Sequence, residues 1–369
     1  MPLRILSMDG TSISGGEGYV TAGMLGALRQ QLDAGGDARS LLNQVDMFVG
    51  TSAGAFNAAF FAREENPDAA LDKCLQFWGE VVAMNKKGVS LGRTLKALAG
   101  LSSFLDSNYM RDFFCSYFGA TLRLGDLKRK VVIPTFKLDG QRKGLRTWKA
   151  KIFHNVDPDN PRELDERVVD VLMRSGSPPL SYPIYQGLQG EGSGYVDGGI
   201  YANNPSLVGV AQAIRDLSRR NNQDQVDTLV ADPPSMDVIL LLSMGNGVMS
   251  SYLEPAFHGG IANWGFARWL LDTSFPMVLV KMLMEAGSDA VHYQCRMILR
   301  KKYFRVNPVV EKRLSAYDLQ QVEKVLVQVL GQQSTMEQLQ RAQHWLLRSG
   351  WLVEPQPGTQ PGQPTQLGA

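Results

Sequence analysis

Two short glycine-flanked groups in this chain carry the side chains of a possible acyl-transfer centre. Gly50-Thr51-Ser52-Ala53-Gly54 sets a hydroxyl between two glycines, and about 145 residues further on Asp197-Gly198-Gly199 sets a carboxylate before two more. A serine hydroxyl attacks an ester carbonyl at neutral pH only if a neighbour accepts its proton, so the pair supplies a nucleophile and a base. The first group follows the compact apolar run Val45 to Val49 and leads into the small-residue stretch Ala53 to Ala62. This pattern predicts a strand that reverses into a helix at Ser52, pushing the hydroxyl into the open under backbone strain. Gly50 and Gly54, lacking Cβ atoms, let strand and helix close up at the turn. Asp197 ends the run Gly194-Tyr195-Val196, and Gly198 and Gly199 free the chain to turn away, leaving the carboxylate at a strand terminus. Catalytic groups of α/β folds collect at such strand ends.

A conventional triad would add a histidine. The four present, His154, His258, His292 and His344, lie in unlike contexts, none in a glycine-bounded loop. Ahead of the elbow come only one strand, Leu3 to Met8, and one helix, which departs from the usual α/β-hydrolase order. The serine is therefore expected to be served by a carboxylate. An unperturbed aspartate, with a pKa of about 3.9, is ionised at neutral pH, so activity is expected to persist into mildly acidic solution.

These residues resemble those of the patatin-like phospholipase family. Val132-Ile133-Pro134-Thr135, Arg174-Ser175-Gly176-Ser177-Pro178-Pro179, Tyr195 to Pro205, Leu242-Ser243-Met244-Gly245-Asn246-Gly247, Gly287-Ser288-Asp289 with Tyr293, and Tyr303 to Val306 resemble family segments in the expected order. The likeness spans roughly residues 3 to 330. It implies an α/β fold of three layers, with a central mostly parallel sheet flanked by helices. It also implies a Ser-Asp dyad, with Ser52 as nucleophile and Asp197 as base. The activity implied is lipid acyl hydrolysis of phospholipids or other fatty acyl esters, without metal or organic cofactor.

The chain departs from the family at the glycine-rich oxyanion motif, usually D-G-G-G-x-R-G. Here the run is Asp9-Gly10-Thr11-Ser12-Ile13-Ser14-Gly15, so two glycines and the arginine are replaced. The amides of Gly10, Thr11, Ser12 and Ala53 are the expected oxyanion donors. Ser14-Gly15-Gly16-Glu17 fits a capping box, after which Val20, Met24, Leu28 and Leu32 recur every fourth residue as a helix. Losing one oxyanion donor would lower kcat by on the order of 100- to 1,000-fold. A non-catalytic lipid-binding or interaction protein on the same fold therefore stands as an alternative, as does an acyltransferase.

At 369 residues, with 44% hydrophobic and 20% charged residues, the chain reads as a globular protein with a large core. The expected organisation is a catalytic domain over 1–330, a helical appendage over 331–353 and a disordered tail rich in Pro, Gly and Gln over 354–369. A net charge of +2 gives no nucleic-acid signal. Basic residues gather in 128–151, where nine stand against the single acid Asp139. That stretch predicts a β-hairpin turning at Asp139-Gly140, either a lysine-guarded edge or a peripheral contact with anionic membranes. No apolar run reaches membrane-spanning length, and no secretory leader is visible at the start. The scattered Cys74, Cys115 and Cys295 are expected to be reduced thiols in a cytoplasmic setting, although leaderless secretion would leave no mark. Helices are expected over Asp68 to Ala83, Arg93 to Leu101, Tyr109 to Phe118, Ser206 to about Arg219, Tyr317 to Leu330 and Ser334 to Leu347. Asn221 to Met236 reads as a surface loop, and the aromatic- and Met-rich Trp264 to Ala286 reads first as core or lid packing, with a lipid-binding face as the alternative.

Overall fold

A computed structural model describes residues 2–10, 16–37, 39–88, 96, 103, 107–142, 144–179, 181–187, 192–221, 236–249, 264–271, 278–311, 314–315 and 317–352. The tail from 354, most of the expected Arg93–Leu101 helix and the loop after Asn221 lie outside them.

The strands are β1 (Leu3–Met8), β2 (Met47–Gly50), β3 (Lys130–Arg142), β4 (Leu145–His154), β5 (Tyr195–Asp197), β6 (Ile239–Met244), β7 (Val248–Met249), β8 (Tyr303–Val306) and β9 (Val309–Val310). The main sheet runs β4-β3-β2-β1-β6-β8, with β5 joined to β3. From β3 to β8 the neighbours are parallel, whereas β4 and β5 lie antiparallel to β3. β1, β2 and β6 are buried along their whole length, as near-continuous apolar parallel strands covered on both faces must be.

Alternation with a period of two sends Leu6, Met8 and Phe48 to one face and Leu3, Ile5, Met47 and Val49 to the other. Among the helices of eight or more residues, the first face is covered by α1 (Glu17–Ala34), α2 (Ala53–Ala62), α3 (Leu71–Gly88), α4 (Ser107–Phe118) and α5 (Val168–Ser175). The second packs against α6 (Ser206–Asn221) and the C-terminal part of α7 (Val278–Leu299) through Val210, Ala213, Cys295 and Leu299. α8 (Leu319–Gly331) and α9 (Gln333–Ser349) pack on α1, and Trp351 beyond them is fully buried, its carbonyl accepting from Arg4 Nε at 2.7 Å. The thiols of Cys74, Cys115 and Cys295 are free.

Two local expectations are corrected. α1 begins at Glu17 with Gly16 as its N-cap, so the capping box led by Ser14 does not start this helix, and Ser14 lies outside the described residues. The β3–β4 hairpin is longer than its sequence pattern implied and turns at Gly144, whose φ of +80° suits glycine, rather than at Asp139-Gly140. Asp139 and Gly140 instead sit in a bulge of β3, where the register shifts between Lys137 and Gly140 and Asp139 receives a forked hydrogen bond from Arg146.

Candidate active site

β1 and β2 end side by side, with Met8 in register with Gly50, and the chain then turns sharply into α2. Ser52 sits at that corner with φ 51° and ψ −121°, a strained conformation for a residue with a side chain. The flanking glycines have a steric cause. A Cβ on Gly50 would lie 2.0 Å from the Gly54 carbonyl oxygen, and one on Gly54 would lie 2.1 Å from that of Met8. Thr51 is fully buried, and its hydroxyl donates to the Ala202 carbonyl at 2.6 Å, tying the elbow to the turn after Asp197.

β5 delivers the carboxylate. Asp197 faces Thr135 of β3, and its amide donates to the Ser177 carbonyl at 3.0 Å. A Cβ on Gly198 would meet the Pro134 carbonyl oxygen at 2.2 Å, so only glycine lets the chain leave β3 at this point. The Gly199 amide donates to Asp197 Oδ1 at 2.7 Å, and the Ser52 side chain lies beside the same carboxylate. Both side chains are 5% exposed. Burial pushes the Asp197 carboxyl from 3.8 up to about 7, although the Gly199 amide and the nearby Ser52 hydroxyl favour the ionised form. The unperturbed carboxylate expected from sequence is thus corrected: its desolvation arises from the closing of the tertiary fold.

Further contacts fix the elbow. The Ser52 amide donates to Ser175 Oγ at 3.0 Å, and that hydroxyl donates to the Pro134 carbonyl at 2.8 Å. Ser175 thus couples α2, α5 and β3, a role that spacing gave no means of assigning. Among the expected oxyanion donors, Ala53 opens α2, where a first-turn amide has no intrahelical acceptor and the helix dipole favours negative charge. Gly10 lies against the elbow, since a Cβ there would come 3.3 Å from Ser52 Cβ, but its amide donates to the Asn203 carbonyl at 2.8 Å and is already used. Thr11 and Ser12 lie outside the described residues. The preceding Asp9 is gripped by Arg305 of β8 through two hydrogen bonds of 3.1 and 2.5 Å, in a buried pair extended to Ser243 Oγ at 2.7 Å.

Beside this centre the surface is apolar. Ile200 and Tyr201, directly after the Asp-Gly-Gly turn, are 50% and 37% exposed. α7 packs against that turn, and Leu279, Met282 and Leu283 near its start are exposed, as is Phe266 in the short helix Phe266–Leu271. For those four residues the core part of the core-or-lid expectation fails, and their exposure accords with the lipid-binding alternative. Of the histidines, His292 Nδ1 contacts the Tyr303 hydroxyl at 3.0 Å, and the buried His154 donates its backbone amide to Glu163 Oε1 at 3.3 Å, its imidazole held below the ordinary range by burial.

An α/β sheet that presents a strained serine beside a buried aspartate defines the class of the protein. The model of the family described as patatin-like phospholipase matches residues 6–208, and the chain belongs to that family. It is 26% identical to Patatin-like protein 2 of Arabidopsis thaliana over 325 residues, covering 83% of this chain and 74% of that protein. It is also 26% identical to Protein teg of Priestia megaterium over 326 residues, covering 83% and 87%. Among solved structures it resembles VipD from Legionella pneumophila with a TM-score of 0.32 and 12% identity, over 89% of this chain and 67% of that one.

Proposed function

We propose that the protein is a lipid acyl hydrolase that works through a Ser52–Asp197 dyad. The observation that carries this reading is the strained elbow that holds Ser52 beside the buried Asp197, tied to the turn after that aspartate by the Thr51 hydroxyl donating to the Ala202 carbonyl. Ser52 Oγ attacks the ester carbonyl carbon and its proton passes to Asp197. Collapse of the tetrahedral species expels the alcohol, which takes that proton and leaves an acyl-serine. Water then attacks the acyl carbon, giving a proton to Asp197, and the released serine oxygen recovers it as the fatty acid departs. A base whose pKa lies close to the working pH suits both transfers.

The oxyanion of each tetrahedral species is assigned to the free Ala53 amide and the positive end of α2, together with amides of the Thr11–Ser12 stretch. The apolar shoulder of Ile200, Tyr201, Leu279, Met282 and Leu283 favours substrates that present acyl chains at a lipid surface. Hydrolysis of a soluble chromogenic acyl ester by wild type and not by Ser52→Ala tests the reading, and equal rates would end it. The engagement of the Gly10 amide by Asn203 favours a slow enzyme or a non-catalytic lipid-binding protein as the second reading. Product analysis with glycerol or lysolipid present separates hydrolysis from acyl transfer to an alcohol.

A further inference from the structure

The β3–β4 hairpin has a feature that neither the dyad nor the core requires. β3 pairs with β2 over Lys130–Val132 and with β5 over Thr135–Lys137, and the Leu138 amide and Asp139 carbonyl add bonds to Gly194 and Ser193; beyond Asp139 its partner among the described residues is β4. The rest of the hairpin is therefore a two-stranded ribbon projecting past the sheet. Its direction follows from the pairing. β3 is parallel to β2, whose C-terminal end leads to Ser52, and Thr135 stands opposite Asp197, so the ribbon leaves the sheet on the side that holds the dyad. At about 3.3 Å per residue its turn lies roughly 20 Å beyond Thr135.

On this ribbon Leu145 is 70% and Trp148 is 74% exposed, among the largest exposures of any apolar side chain described. The sequence from 137 to 149 contains the basic residues Lys137, Arg142, Lys143, Arg146 and Lys149 against the single acid Asp139. The forked Arg146–Asp139 pair, at 3.0 and 2.6 Å, spans the bulge and braces the ribbon. A bare two-stranded ribbon is marginal by itself, and a solvated edge needs lysines but no tryptophan. A leucine and a tryptophan on opposite faces of β4, interspersed along the sequence with basic residues, match the boundary between anionic headgroups and acyl chains that a ribbon entering tip-first would cross, where indole rings concentrate.

We propose that the β3–β4 ribbon is a membrane-docking element that inserts Leu145 and Trp148 into the interface of an anionic bilayer and sets the Ser52 site toward the lipid. The proposal rests on the lipid-substrate reading for its purpose, but its binding test stands apart from catalysis. No helix among the described residues is long and apolar enough to span a membrane, and the ribbon requires none.

The test is co-sedimentation of the full chain with vesicles of phosphatidylcholine, with and without phosphatidylserine, at low and high salt. Wild type is expected to bind the anionic vesicles and to release at high salt, since exposed charges are screened within about 8 to 10 Å. Lys149→Glu is expected to weaken binding at least fivefold, following the contribution of each basic residue near such a surface. The double variant Leu145→Ser/Trp148→Ser is expected to weaken it at least tenfold. Brominated lipid should quench wild-type fluorescence more than that of Trp148→Phe. All variants should keep the wild-type near-ultraviolet circular dichroism and their rate on a soluble ester. Vesicle binding unchanged in the double variant, absent in wild type, or matched by binding to duplex DNA would overturn the proposal. Binding by a protein with no ester hydrolysis would instead remove the hydrolase reading and leave the docking element standing.

Discussion

The pH dependence of kcat/KM follows directly from the burial of Asp197. Its carboxyl is pushed from 3.8 to about 7, and only the ionised form can take the serine proton. The reactive fraction is then about one half at pH 7, about a tenth at pH 6 and about a hundredth at pH 5, so kcat/KM falls close to tenfold per unit on the acid side. An aspartate at its ordinary value would lose less than a tenth of its activity over the same range. The assay is initial-rate hydrolysis of a soluble chromogenic ester from pH 5 to pH 9, corrected for ionisation of the released chromophore. Because the midpoint lies near the ordinary histidine range, each of the four histidines is replaced in turn by glutamine. An unchanged midpoint assigns the titration to Asp197. A flat profile down to pH 5, or a midpoint that moves when one histidine is removed, would refute the reasoning.

The same burial makes Asp197 unfavourable for stability. With its folded value raised, the folded state holds the proton between pH 3.8 and about 7, so stability from this group is lost as pH rises through that window. The gap corresponds to roughly 4 kcal/mol, and Asp197→Asn should abolish hydrolysis yet raise the denaturation midpoint at pH 8 more than at pH 4. Gly54→Ala, whose Cβ would lie 2.1 Å from the Met8 carbonyl oxygen, should destabilise by more than about 3 kcal/mol or prevent soluble expression. Gly26→Ala in α1, where a Cβ meets nothing within 4 Å, should stabilise by about 0.5 to 1 kcal/mol. Arg305→Met strands the buried Asp9 without its cation and should lower stability by about 3 to 5 kcal/mol in chemical denaturation.

The parts of the site that glycine constrains were legible in the sequence. Gly50, Gly54 and Gly198 occur where the backbones of neighbouring elements approach within the reach of a Cβ, and such positions announce themselves in one dimension. The buried strands were equally plain, because parallel strands covered on both faces become continuous apolar runs. What stayed hidden depends on distance along the chain. Ser175 reaches the Ser52 amide across 123 residues and Arg305 reaches Asp9 across 296, and no local pattern ties either pair together. The poise of Asp197 was misjudged for the same reason: desolvation belongs to the closed site and not to the residue. The hairpin turn was misplaced because Asp-Gly serves a bulge as readily as a turn, and only the positive φ of Gly144 tells the two apart.

Reaction with a labelled fluorophosphonate, followed by mapping of the modified peptide, tests the dyad most directly. A single adduct is expected on Ser52, absent in Ser52→Ala and formed much more slowly in Asp197→Asn. A protein that is folded by circular dichroism yet takes no label at Ser52, or takes it equally fast without Asp197, would contradict the account.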